Sequence, residues 1–200
     1  MNQVKEAGKQ HHFFAYLSRM KHIKRWGLMR NTETENIKEH SMDVAVLAHA
    51  LALIHNTYFG GTLDEKKIMA MGLFHETGEI MTGDLPTPVK YYNRSIQKAY
   101  QEIEQMAVSR AMDMLPEELK PAYQPLIEHE NDEDYRFVKY ADKLCAYIKC
   151  IEEVKTGNAE FQQAKCKIAE QIAQMEEPAV LYFIEHFLPS FGLTIDELNK

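Results

Sequence analysis

Four side chains in this sequence could together hold a divalent cation: His40, the adjacent pair His75 and Glu76, and Asp142. Imidazole nitrogens and carboxylate oxygens in one mixed set leave the metal open, with Co, Mn, Zn and Mg all admissible donors' partners. An ion held this way draws charge from a bound oxyanion and lowers the pKa of a bound water, which is hydrolytic chemistry. Each residue also has a plainer explanation when taken alone. His40 could be a core histidine bonded to a backbone carbonyl. Glu76 and Glu79 could be solvated charges at a helix end, and Asp142 could pair with Arg25 or Arg30.

Helical periodicity favours a shared site. The stripe Ile37, His40, Val44, Leu47, Leu51, Ile54 puts His40 among core aliphatics. A second stripe, Ile68, Met71, Gly72, His75, Glu79, follows the apolar run IMAMGLF, with Glu76 beside it; at spacings of three and four, His75, Glu76 and Glu79 reach one region. A third, Val138, Ala141, Asp142, Cys145, Ile148, sets an acid in an apolar face, where an acid needs a partner or a ligand role. One inward His or acid from each of three helices is what a cation in a bundle core requires.

The elements that must position these residues are expected to be helices throughout. Apolar residues recur at three and four, and only 9 Gly and 7 Pro interrupt 200 residues. The pattern predicts an all-α chain, a compact bundle of about seven or eight helices forming a single domain over 1–200, with 45% apolar content for its core. Helices are expected from His12 to about Lys24, Glu35 to His55, Thr62 to Ile80, Val89 to Met114, a short one begun by Pro116, then one capped by Asn131 or Asp132 and reaching Lys155. Two more span Phe161 to Met175 and Ala179 to Phe187, and Thr62 with Glu65 has the spacing of a capping box. The segment Gly83 to Pro88 is expected to be an ordered loop, because its two prolines oppose helix.

Charge and composition narrow the partners. Lys+Arg 23 against Asp+Glu 30 gives a net charge of -7 with no basic run, which argues against polymeric nucleic acid, while a small anion needs only a few local cations. Three unpaired-looking cysteines fit a reduced, cytoplasmic setting, and neither a secretory signal nor a membrane span is expected. His11 and His12 read as a solvated pair near the terminus rather than a metal clamp, His22, His49, His55, His129 and His186 have no partner at ligand spacing, and Met69, Met71, Met81, Met106, Met112 and Met114 read as core filling.

The order His, His-acid, distant Asp resembles the HD-domain metal-dependent phosphohydrolases. The segments HHFFAYLSRMKHIKRWGLMRNTETENIKEHS, GLFHETGEIMTGDLPTPVKYYN and KYADKLCAYIKCIEE resemble, within them, the bacterial 5'-deoxynucleotidases of the YfbR type, over nearly the whole chain. The resemblance implies His40, His75 and Asp142 as metal ligands and Glu76 in the position of the family's aspartate. It implies Glu79 as an acid beside the metal, Arg25 orienting the substrate phosphate, and Trp26 against the sugar. Asp84, Leu85, Pro86 and Thr87 match a substrate-binding segment, with Asp84 also near the chemistry, and His40, Glu76 and Asp142 border the substrate as well. It further implies one divalent cation, a small deoxynucleotide as substrate and a homodimer.

Glu76 is where the sequence departs from that pattern, by one methylene. Three outcomes follow: an active centre, a centre of altered metal preference or slower turnover, or a nucleotide-binding protein that does not hydrolyse. An HD hydrolase of another nucleotide phosphate ester is the remaining alternative.

Overall fold

A computed structural model of the chain describes Gly8 and residues 10–90, 92–129 and 132–200. The architecture is all-α, and among the described residues no strand forms. Seven longer helices carry it: α2 (Ile37–Tyr58), α3 (Glu65–Phe74), α6 (Arg94–Met112), α7 (Lys120–Ile127), α8 (Tyr135–Lys155), α9 (Gln162–Ala173) and α10 (Pro178–His186). Short helices α1 (Phe13–Leu17), α4 (Glu79–Thr82), α5 (Thr87–Lys90) and α11 (Ile195–Leu198) lie between and beyond them.

α2 forms the spine and packs against α3, α8 and α10. Its expected inward stripe is buried along its length, from Ile37 through His40, Val44, Leu47 and Leu51 to Ile54. Facing it are Ile68 and Met71 of α3, Phe137, Val138 and Leu144 of α8, and Val180 and Phe183 of α10. A smaller core joins Phe13 to Met112, Leu115 and Ile127. Gly72 is where α3 comes closest to α2: a Cβ there would lie 2.8 Å from the Ala45 Cα, so only glycine permits the approach.

Several expected boundaries are displaced, each by local bonding. α2 starts at Ile37 because Asn36 accepts from the N–H groups of Lys38 and Glu39 while the Glu39 carboxylate accepts from Asn36. Asp64, not Thr62, caps α3 by accepting from the Lys67 N–H. That helix stops at Phe74 rather than running to Ile80, since the Thr77 hydroxyl and N–H both donate to the Phe74 carbonyl. The first helix continues beyond Leu17 only as a 3-10 turn over Ser18–His22, and the expected helix from Val89 is divided between α5 and an α6 capped by Asn93. Pro121, not Pro116, stands in the first turn of α7.

Asn131 lies outside the described residues; Asp132 accepts from the Asp134 N–H and pairs with Lys67 ahead of α8. Met71 and Met112 are core, but Met69, Met81 and Met106 are exposed, as are Ile96 and Ile103 on α6. No helix among the described residues is long and apolar enough to cross a membrane.

Candidate metal centre

The segment between the 3-10 turn and α2 is an excursion closed at its base. An antiparallel bridge joins Lys24 to Asn36, the Arg25 N–H donates to the Glu35 carbonyl at 3.0 Å and the Ile37 N–H to the Ile23 carbonyl at 2.9 Å. The far side is anchored by Glu153 of α8. Its buried carboxylate accepts from the N–H groups of Thr32 and Glu33, the Asn158 amide and the Lys149 ammonium. Arg25, Trp26 and Glu35 are thereby held beside the start of α2.

At that point the quartet meets. One ligand atom from each of His40, His75, Glu76 and Asp142 lies within 4.8 Å of the others. His40 Nε2 is 3.0 Å from Asp142 Oδ1 and 3.8 Å from Glu76 Oε1, and Glu76 Oε1 is 3.3 Å from His75 Nε2. Asp142 therefore meets His40, not Arg30, and Arg25 acts on it through charge alone.

The donor set fits a cation on an observation of its own. His75 Nδ1 lies 2.7 Å from the Gly72 carbonyl, which fixes the proton there and leaves Nε2 as a lone pair, and that buried Nε2 has no hydrogen-bond partner. The side chains around it are rich in acid. Glu35, Glu76, Glu79, Asp84 and Asp142 surround a single guanidinium, Arg25, whose Nε bonds Glu35 Oε2 at 3.1 Å and whose Nη1 bonds Glu76 Oε1 at 3.2 Å. Acids in such excess, partly withdrawn from water and with Glu79 buried, favour a further positive charge.

The electrostatics divide these acids. Burial pushes the Glu76 carboxyl up, but His75, Arg25 and His40 hold it down at about 2. Asp142 is likewise held well below the usual carboxylate range by His40, Arg25 and His75, against desolvation. Glu79 goes the other way. It is buried, its Oε2 has no hydrogen-bond partner, and burial together with the Glu76 and Asp84 charges raises it well above the ordinary value. Neighbouring carboxyls in one small region are thus driven apart in proton affinity by their surroundings.

The structure also gathers Arg25, Trp26 and Asp84. The Trp26 N–H donates to Asp84 Oδ2 at 3.0 Å, its indole Nε1–H donates to Glu35 Oε2 at 2.9 Å, and its ring packs on Phe161 with centroids 5.2 Å apart. Trp26 has φ of +59°, a left-handed conformation that costs a non-glycine residue about 1–2 kcal/mol. Trp26 thus is a staple for the excursion. Leu85 and Pro86 are half-buried and Thr87 is exposed at the start of α5; no hydrogen bond or ion pair joins them to the quartet among the described residues.

Sequence reasoning missed Glu35, which reads locally as a first-turn acid of α2. Of the histidines set aside, His55 bonds Glu177 at 2.8 Å, and His129 stacks on Tyr135 with its pKa lowered to about 4, chiefly by burial.

The all-α fold is shared with solved HD-domain phosphohydrolases. A solved HD-domain phosphohydrolase from Listeria innocua superposes with a TM-score of 0.78 at 22% identity, over 90% of this chain and 88% of that one. The cyanophage S-2L HD phosphohydrolase, solved with dA and one catalytic Zn2+ ion, superposes at 0.63 and 20% identity, covering 88% of this chain and 96% of that one. The chain belongs to the YfbR-like 5'-deoxynucleotidase family, whose model matches residues 12–191. A 5'-deoxynucleotidase of Erwinia tasmaniensis is 52% identical over 191 residues, which cover 94% of this chain and 96% of the relative.

Proposed function

We propose that this chain hydrolyses deoxyribonucleoside 5'-monophosphates to the deoxyribonucleoside and phosphate, using one divalent cation. The observation that carries this reading is the convergence of His40, His75, Glu76 and Asp142 on one point, with the His75 Nε2 lone pair left open. A cation bound there supplies Lewis acidity toward a phosphoryl oxygen and toward a water.

The chain's own residues do the remainder. Arg25, fixed through its Nε by Glu35, brings its Nη1 to Glu76 at the centre, where a planar fork can hold phosphate oxygens. Glu79 takes the proton of the attacking water or orients that water as the new phosphorus–oxygen bond forms and the phosphorus–O5' bond breaks. The proton lost by the water passes, through Glu79 or a water, to the departing O5' to give the nucleoside hydroxyl. Asp84, tied to the Trp26 N–H, faces the sugar 3'-hydroxyl or a water near the leaving oxygen. The Trp26 indole fills the space beside C2' and disfavours a 2'-hydroxyl by bulk. Leu85, Pro86 and Thr87 continue that wall.

One observation favours a second reading, a nucleotide-binding protein with little or no turnover: Glu76 replaces the expected aspartate and is engaged by Arg25. Phosphate-release assays on dAMP and AMP with Co2+, Mn2+, Mg2+ and Zn2+ in turn decide the matter. The hydrolase reading expects release from dAMP in preference to AMP with at least one ion; silence with all four sinks it. A wider panel of cyclic and pyrophosphate nucleotides checks for an HD hydrolase of another ester.

The same reading takes residues 1–200 as one HD-type unit, acting as a homodimer in the cytoplasm. Free thiols at Cys145, Cys150 and Cys166 support a reducing compartment, and the outward apolar residues Met42, Val46 and Leu53 of α2 support a partner.

A further inference from the structure

Glu35 stands at the meeting of three groups with different tasks. Its Oε2 accepts from Arg25 Nε at 3.1 Å and from Trp26 Nε1 at 2.9 Å, and its Oε1 faces His40 Nδ1 at 3.7 Å. The Lys24–Asn36 bridge fixes this arrangement, since it sets the ends of the excursion side by side. Its side chain is only 14% exposed, so water does not compete freely for these contacts. Trp26 needs such a hold because its backbone sits at φ +59°: Met29 and Asn31 donate to its carbonyl, Asp84 accepts from its N–H, and Phe161 and Glu35 restrain its indole. His40 needs it for another reason. If Nε2 ligates an ion, Nδ1 carries the proton; that buried Nδ1 has no hydrogen-bond partner, and Glu35 Oε1 is the carboxylate oxygen facing it.

We infer that Glu35 is a positioning residue whose two oxygens set the phosphate-binding Arg25, the sugar-side Trp26 and the metal ligand His40 in register, so that metal affinity and deoxyribose selectivity depend on one side chain. The inference rests on the hydrolase reading for its substrate, but not for all of its tests.

Two variants separate the two oxygens' duties. In Glu35→Gln the amide oxygen can still accept from Arg25 and Trp26, while its NH2 offers His40 Nδ1–H a donor in place of an acceptor. In Glu35→Ala both are lost. Three quantities are measured on each: Co2+ affinity by competition with a chromophoric chelator, the dAMP to AMP ratio of kcat/KM, and the emission of Trp26, the one tryptophan in the chain.

Glu35→Gln is expected to weaken Co2+ binding about 10–100-fold while leaving the selectivity ratio and emission near wild type. Glu35→Ala is expected to weaken Co2+ binding to a similar extent, shift the emission to the red, and cut the dAMP preference about tenfold or more. Wild-type metal affinity, emission and selectivity in Glu35→Ala, with at most a lower Tm, would overturn the inference. If the alanine variant does not fold, the Co2+ affinity of the near-isosteric glutamine variant decides it. Absence of turnover in the wild type sinks the hydrolase reading instead, and leaves Co2+ affinity and Trp26 emission to judge Glu35.

Discussion

Glu76 reaches the centre from a turn, not from a helix, so its carboxylate is placed by Arg25 at 3.2 Å instead of by helical register. Glu153 does comparable work at a distance, holding the excursion that carries Arg25, Trp26 and Glu35. Burial would raise its carboxyl, but the Lys149 ammonium, two backbone N–H groups and the Asn158 amide bring it from the ordinary 4.5 to about 2. A lowered folded value means the stabilisation is complete above about pH 4.5 and is lost as pH falls toward about 2. Melting curves between about pH 6 and pH 3 should therefore show Tm declining in the wild type. Glu153→Gln should start at a lower Tm at neutral pH, being less stable by about 3 kcal/mol because Lys149 keeps the Glu33 carbonyl but loses its counter-charge, and should decline less steeply. Parallel curves for the two proteins would contradict this role.

At the scale of elements, the contact between α2 and α3 links packing to the metal centre. Gly72 lies against Ala45, and its carbonyl also fixes the His75 imidazole. Gly72→Ala should force α3 off α2, at a cost of about 1–3 kcal/mol, and carry His75 away from His40. Chemical denaturation and a Co2+ titration on this variant are expected to show lower stability together with weaker binding; weaker stability with unchanged Co2+ affinity would uncouple the two.

What the sequence disclosed follows the same division. The inward faces of α2 and α8 were legible because a 3.6-residue period is a local property, and His40 and Asp142 stood out as polar residues within it. The end of α3 was not, since the Thr77 bond to the Phe74 carbonyl competes with a helical pattern that continues formally to Ile80. Glu35 was hidden for a third reason. Its significance depends on a bridge across eleven intervening residues and on Glu153, far along the chain, neither of which leaves a periodic signal.

Across the whole molecule, two helices and the turn after a third carry the quartet, and two connecting segments meet beside it. α2, the turn after α3, and α8 bring the quartet; the excursion from Lys24 to Asn36 brings Arg25, Trp26 and Glu35; the segment at Asp84 braces Trp26. Asp84 could be assigned to the site from its resemblance, whereas its bond to the Trp26 backbone is a tertiary fact. The central claim is that this assembly is a working phosphomonoesterase with glutamate in the metal-binding pair. It is tested most directly by phosphate release from dAMP, measured side by side on the metal-reconstituted wild type and on Glu76→Asp. The predicted result is turnover in the wild type that needs the divalent ion and is abolished by chelation. A silent wild type beside an active Glu76→Asp would contradict it.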